Sequence, residues 1–254
     1  IVKFFRIFRV SYILRNSNNT INNKLSILDI GCGRATELEL LNKHGWNCYG
    51  TEHSVENLES LNNKGIKIID EDDLHKCNFS DNQFDVITLW HSFEHLIDPV
   101  KTLHEISRIM KDDGSLIIEI PNFNSWQARI NRSKWIYTES PRHLYHYTAK
   151  SINCLFKINN MKINKLSTIS FEFGPIGFIT NLFNAFISEK NFLFKLLFKK
   201  NEFRMLVKSK SKILINYFLL FLFIIPVIFI GTTLELISTI FRSGAVLRII
   251  AKKS

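Results

Sequence analysis

The sequence predicts an α/β protein whose central part is a doubly wound, largely parallel sheet. Three observations carry this. Short apolar runs, Leu25–Ile30 and Phe84–Trp90 the clearest, read as strands buried on both faces. Segments of helical length alternate with them along residues 25–170. Between the first strand and first helix lies Gly31-Cys32-Gly33, a turn whose glycines let the backbone bend sharply and approach a ligand. In an open α/β sheet such a turn sits at the carboxyl end of a central strand, where ligands bind.

The elements follow in order. Residues 1–15 suit a basic amphipathic helix, either facing a membrane or lid, or packed on the sheet edge, and the Asn-rich residues 16–23 form a linker. After the first strand, a helix over 37–44 is stopped by Gly45. A second strand over 46–50 ends at Thr51-Glu52-His53, and Ser54 is placed to cap a helix over 55–63. A third strand, 65–69, leads into the acidic run 70–73. The fourth strand, 84–90, is followed by His91-Ser-Phe-Glu-His95, and Pro99 opens a helix that reaches Met110. Asp112-Asp-Gly114 reads as a turn before a fifth strand over 115–120. Residues 122–147 are polar, aromatic and rich in His, too long for a bare connector and suited to an active-site lid. A helix over 148–159 and a sixth strand over 161–170 complete the alternation.

The acids at the strand ends suggest the ligand. A dinucleotide turn needs a third glycine where this chain has Thr36. Asp29, at the end of the first strand, would repel a pyrophosphate but attract an ammonium and a sulfonium, the charges of S-adenosylmethionine. Glu52, about 20 residues past the turn, is spaced to bind the two hydroxyls of a ribose. Asp73 can accept a hydrogen bond from an adenine amino group. A plain strand-turn-helix with solvated loop acids is the alternative reading of the same residues.

With these motifs in place the chain resembles the class I S-adenosylmethionine-dependent methyltransferases, in the branch holding ubiquinone-biosynthesis O-methyltransferases. Leu28-Asp-Ile-Gly-Cys-Gly33, Glu52, Asp73-Leu74 ahead of Phe79–Asp85, Leu89–Pro99 and Pro141-Arg-His-Leu144 are similar to its ordered motifs. The resemblance implies a Rossmann-like seven-stranded sheet whose last strand, here Gly244–Ile250, is antiparallel. It implies S-adenosyl-L-methionine as cofactor, held by Asp29, Gly31, Gly33, Glu52, His53, Asp73, Leu74, Trp90 and His91. A hydroxyl acceptor gains from a general base, and His91, His95, His143 and His146 are the candidates, since imidazole titrates near neutrality. His95 and His143 are preferred. Two departures stand out: Ala35 replaces a usual glycine, and His91 stands where some relatives place a metal-binding acid beside the residues matching Glu94 and His95. No metal is therefore expected. His91-x-x-Glu94-His95 also spells a zinc-peptidase signature, but it follows a strand rather than lying in a helix, so we read it as coincidence.

Charge and apolarity divide the 254 residues further. Residues 1–24, 25–150 and 151–254 carry net charges of +5, −6 and +11. The basic ends seek an anionic surface, and interleaved Phe, Leu and Ile favour a membrane over nucleic acid. Residues 190–212 hold eight Lys/Arg and one Glu, and 213–234 run without a charge. A single crossing would leave the closing strand on the wrong side, and a hairpin at Pro226 would give arms too short to span. A shallow interfacial or re-entrant insertion is preferred over a soluble cap or a span. The expected organisation is an N-terminal segment 1–24, a methyltransferase domain 25–174, a basic, hydrophobic helical insertion 175–243 and a closing strand 244–254. Four scattered cysteines fit a reducing cytoplasm, nothing before Leu25 reads as a signal peptide, and the protein is expected at the inner face of the membrane. The expected acceptor is a small-molecule or lipid-linked, quinone-like or saccharide compound. A non-catalytic module of the same fold and, more distantly, a nicotinamide-dependent oxidoreductase are the competing readings.

Overall fold

A computed structural model describes residues 2–17, 24–53, 58–71, 73–132, 135–184, 187, 189, 191–198 and 213–254. The Ser54 cap, most of the Asn-rich linker and most of the basic run 190–212 lie outside these residues. The chain divides into two compact units, Ile1–Ile120 with Tyr147–Ser167 and Leu247–Ser254, and Pro121–His146 with Thr168–Val246.

The first unit holds β1 (Ser26–Ile30), β2 (Asn47–Thr51), β3 (Ile66–Ile69), β4 (Phe84–Trp90), β5 (Met110–Pro121), β6 (Met161–Ser167) and β7 (Val246–Lys253). They form one sheet in the order β3-β2-β1-β4-β5-β7-β6. β1 pairs in parallel with β2 and with β4, and β7 runs antiparallel to β6. The expected seven strands and antiparallel closing strand are both present.

Period-two alternation explains why these runs are apolar throughout. Leu28, Ile87 and Leu116 point into one core with Leu103, Ile106, Ile152 and Phe156. Their neighbours Ile27, Val86 and Ile117 point into the other, with Leu38, Leu41, Val10 and Ile13. The first core is covered by α4 (Pro99–Ile109) and α6 (Ala149–Ile158), the second by α1 (Val2–Asn16) and α2 (Thr36–Lys43). α3 (Leu58–Asn63) lies between β2 and β3 in the chain.

Local chemistry sets the helix starts. Asp98 accepts from Lys101 N at 2.9 Å ahead of Pro99, and Thr148 and Ser151 form a capping box at α6. The helix expected over residues 1–15 packs on a face of the sheet and not on its edge: Val10 and Ile13 are buried with Val86 and Ile117, and Arg6 and Arg9 both reach Glu37. The turn expected at 112–114 is absorbed into β5 as an irregularity, the pairing stepping from Phe84↔Met110 to Val86↔Ser115. β6 stops at Ser167 rather than 170.

The second unit holds α5 (Trp126–Asn131), α7 (Phe173–Phe183), α8 (Phe192–Phe198) and α9 (Ile213–Ile240). α9 runs unbroken through Pro226, so no hairpin forms there. It packs antiparallel on α7: a side chain at Gly231 would strike Ile179, and one at Gly174 would strike Glu235. A second cluster gathers Trp135, Ile136, Tyr137, Ala245 and Val246.

Candidate active site

The β1 turn is built around its two glycines. Gly31 has φ +73°, and a Cβ there would come 2.7 Å from Ser92 Cβ, so β1 and the segment after β4 close on each other only because that atom is missing. Gly31 and Cys32 donate to Thr51 O at 2.9 and 3.0 Å, which fastens the turn to the end of β2. Gly33, at φ +55°, faces open space where a Cβ would stand. Ala35 takes the left-handed φ of +51° in place of the family's glycine, its methyl fully buried. Burial and the nearby Asp29 and Glu52 charges push the Cys32 thiol far up, which leaves it protonated and unreactive.

Two carboxylates border this turn. Glu52 accepts from Gly33 N at 2.8 Å through Oε2 and from His53 N at 3.0 Å through Oε1. Each oxygen keeps a lone pair for a ligand hydroxyl. Asp29 is buried and accepts from Thr88 Oγ1 at 2.6 Å. Burial, reinforced by the Glu37 charge and opposed by the Thr88 hydrogen bond, pushes its carboxyl up to about 7. A cationic group arriving there would draw the proton off.

Further along the strand ends, each expected residue has contacts of its own within the chain. The His53 imidazole is exposed and turns to Asp70, 3.2 Å away. Asp73 caps the turn Leu74–Cys77 by accepting from His75 N at 3.2 Å, and Lys101 Nζ lies 3.3 Å away. These contacts hold its carboxyl below the ordinary range, the His75 amide first. The Leu74 side chain lies in the core with Ile30 and Phe79.

Trp90 ends β4 on the α1 side of the sheet. Arg9 Cζ stands 4.9 Å from its ring centroid, while its buried Nε1 has no hydrogen-bond partner among the described residues. His91 follows at φ +56°. Its Nε2–H donates to Glu119 Oε1 at 3.1 Å and its Nδ1 faces Glu94 Oε1 at 3.5 Å. Burial opposes the charged ring, but these two carboxylates outweigh it and raise the imidazole to about 9. At neutral pH His91 therefore carries both protons and is poorly suited to accept one. Glu119 also takes Arg248 Nε at 2.6 Å, and Arg9 Nη2 lies 4.0 Å away. Burial works against its charge, yet Arg248, His91 and Arg9 bring the carboxyl down to about 2. Tyr12 of α1 packs its ring 4.9 Å from Arg248 Cζ, completing a group of buried and half-buried cations, acids and aromatic rings.

Sequence reasoning passed over Arg9, Tyr12, Glu119 and Arg248. One signal was readable: Glu119 interrupts the apolar run Leu116–Ile120 of a buried strand, where an acid needs a partner. The partner's identity was not, since Arg248 lies 129 positions further on.

His95, beyond β4, is partly buried, and its amide donates to Ser92 O at 3.1 Å. The remaining two histidines belong to the second unit. His143 Nδ1 donates to Tyr137 O at 2.8 Å, which makes Nε2 the unprotonated nitrogen of the neutral ring, with Glu139 Oε2 at 4.0 Å. The exposed His146 packs edge-on to Phe123, 4.8 Å between centroids, and Phe123 neighbours Trp135 at 6.5 Å.

The donors of the first unit fit S-adenosylmethionine. Gly33 leaves open space beside the turn, the carboxylates of Asp29 and Glu52 stand at it, and Trp90 Nε1 is buried with no hydrogen-bond partner among the described residues.

A profile of the methyltransferase domain matches residues 7–166. The chain is 27% identical over 146 residues to the ubiquinone biosynthesis O-methyltransferase of Erwinia tasmaniensis, covering 53% of this chain and 58% of that one. It is 25% identical over 185 residues to the enzyme of the same name from Salmonella paratyphi A, covering 69% and 74%. A crystal structure of an S-adenosylmethionine-dependent methyltransferase from Archaeoglobus fulgidus superposes with a TM-score of 0.56 at 20% identity, covering 98% of this chain and 94% of that chain. Fold and turn thus define the class of S-adenosylmethionine-dependent methyltransferases. The chain belongs to the methyltransferase-domain family, with S-adenosylmethionine as its cofactor.

Proposed function

We propose that this methyltransferase acts on a hydroxyl of an aromatic, quinone-like acceptor, lipid-linked and met at an anionic membrane surface. The observation that carries the oxygen acceptor is His143. Its Nδ1 proton is committed to a main-chain carbonyl, so Nε2 is the nitrogen able to take a hydroxyl proton. It stands in a unit rich in aromatic side chains, Phe123, Trp135, Tyr137 and His146, which suit a flat ring. The names of the two relatives, ubiquinone biosynthesis O-methyltransferases, support the same chemistry.

S-adenosylmethionine supplies a methyl group on a sulfonium that is already a good leaving group. In this reading Asp29 and Glu52 bind and orient the cofactor, and Gly31 and Gly33 let it approach the backbone. Orientation of this kind lowers barriers by ~7–11 kcal/mol in favourable systems, and a positioned base adds ~10²–10⁴-fold.

The membrane reading rests on the exposed apolar face of α9 and the basic run ahead of it. Anionic headgroups of a cytoplasmic leaflet would meet these cations at ~1 kcal/mol each. The test is turnover of a catechol panel with labelled S-adenosylmethionine. His143→Gln should lower kcat at least a hundredfold while leaving cofactor affinity within about twofold; unchanged kcat would remove His143 as the base.

A further inference from the structure

We propose that α9 lies in the plane of an anionic bilayer as a one-sided anchor and does not cross it. This rests on the membrane reading above and specifies its geometry.

The helix has two unlike faces. Leu214, Phe218, Phe221, Ile225, Phe229 and Ile240 recur at helical spacing and are all exposed, Phe221 at 83% and Ile225 at 78%. The opposite stripe is buried and takes in the helix's polar side chains among apolar ones: Asn216, Leu220, Val227, Gly231, Glu235 and Ser238. Glu235 accepts from Gln127 Nε2 at 2.9 Å and from Ala245 N at 3.1 Å, and Gly231 admits Ile179. A soluble helix buries its apolar face and exposes its polar one. This helix takes Asn216, Glu235 and Ser238 inside and leaves most of its large apolar side chains exposed, as a lipid-facing helix would. From Leu214 to Ile240 the exposed stripe is ~39 Å long at 1.5 Å per residue.

Topology separates lying from crossing. β6 and β7 pair in one sheet, so the chain between Ser167 and Val246 must return to the side it left. If α9 crossed, a second segment before it would have to cross as well. α7 has 11 residues, ~17 Å, against ~30 Å of hydrocarbon. Extending that arm to Phe198 brings in Glu189, Lys190 and Lys195, at ~2.5–3.5 kcal/mol for each charge near the centre. Residues 199–212, with six Lys/Arg and one Glu, would then have to pass through. In the in-plane arrangement none of these charges enters the hydrocarbon. At the other end of α9, Trp126 stacks on the exposed Phe241 with centroids 5.6 Å apart, an aromatic pair of the kind that settles among headgroups.

The full chain carrying Cys77→Ser and Cys154→Ser, with Cys32 and Cys48 buried, is given one added cysteine at Leu214, Ile225 or Ile240 and labelled with bimane. It is floated with vesicles of equal parts phosphatidylglycerol and phosphatidylcholine, the latter brominated near the headgroup or near the chain end. The expected result is flotation, with all three labels quenched alike by the shallow bromines and little by the deep ones. Binding should fall at least tenfold on pure phosphatidylcholine and in an Ile225→Asp variant whose circular dichroism is unchanged. Deep quenching at 225 with shallow quenching at 214 and 240 would overturn the in-plane geometry while leaving the membrane reading intact. No flotation, with dimers by light scattering, would make the apolar stripe a contact between two copies and overturn both.

Discussion

Arg248, on the closing strand, donates its Nε–H to Glu119 Oε2 of β5 at 2.6 Å, joining residues 129 positions apart inside the sheet domain. Glu119 is almost fully buried, so its charge is tolerable only because Arg248, His91 and Arg9 surround it.

Removing one partner strands the other. Arg248→Met should destabilise the protein by about 3 kcal/mol in urea unfolding, because a buried carboxylate loses its main counter-charge. The double variant Arg248→Met, Glu119→Gln should recover part of that loss. If the single variant loses less than the double, the pair is not coupled.

Asp29 ties stability to pH. Its carboxyl is raised to about 7 in the folded chain against 3.8 as the ordinary value, so its neutral form stabilises the cofactor-free fold at low pH. That contribution is lost as pH rises from about 4 to about 7. Asp29→Asn should flatten this part of the Tm profile and raise Tm at pH 8. It should also weaken S-adenosylmethionine binding ~10–100-fold by calorimetry, the scale of a lost charge-assisted hydrogen bond.

His91 and Glu119 act in other windows. His91, raised to about 9, contributes stability fully below pH 6.5 and loses it as pH rises towards 9. Glu119, lowered to about 2, contributes above pH 4.5 and loses it as pH falls towards 2. His91→Asn should remove the alkaline slope between pH 6.5 and 9 and, because His91 helps hold Glu119 low, move the acid limb to higher pH, both read by urea titration.

The two glycines of the β1 turn should separate by phenotype. Gly31→Ala combines a left-handed φ with a 2.7 Å approach to Ser92 Cβ, and should cost more than 2 kcal/mol of stability. Gly33→Ala meets nothing within 4 Å and pays only for its φ, ~1 kcal/mol, but should weaken cofactor binding at least tenfold. Equal losses of stability in the two would contradict the difference in surroundings.

Much of the fold was legible because its signals are local. Leu25–Ile30 and Phe84–Trp90 announce buried strands, Pro99 and Thr148 announce helix starts, and Gly31 announces a turn that only a residue without Cβ can make. The expected site residues at the β1 turn, Asp29, Gly31, Gly33 and Glu52, stand together there. Others were less legible. Leu74 proved to be core, His53 turned to Asp70, and His91 took its character from an acid 28 positions later.

The apolar run before the closing strand shows the same division. Its length and lack of charge were plain from 213 to 234. That the helix continues through Pro226 to Ile240, and takes Glu235 inside, depends on Gln127, Ser238 and the Ala245 amide meeting that carboxylate.

The sequence by itself determined the class of protein: the order of strands and helices, the glycine turn and the acids at the strand ends. Apolar period and turn chemistry act over a few residues and survive in one dimension. Only the tertiary structure decided the state of the charges: that Asp29 is raised, that His91 keeps both protons, and that Glu119 is held by Arg248. A side chain's charge depends on burial and on partners within a few ångströms, and those partners come together only when distant stretches of chain are folded side by side.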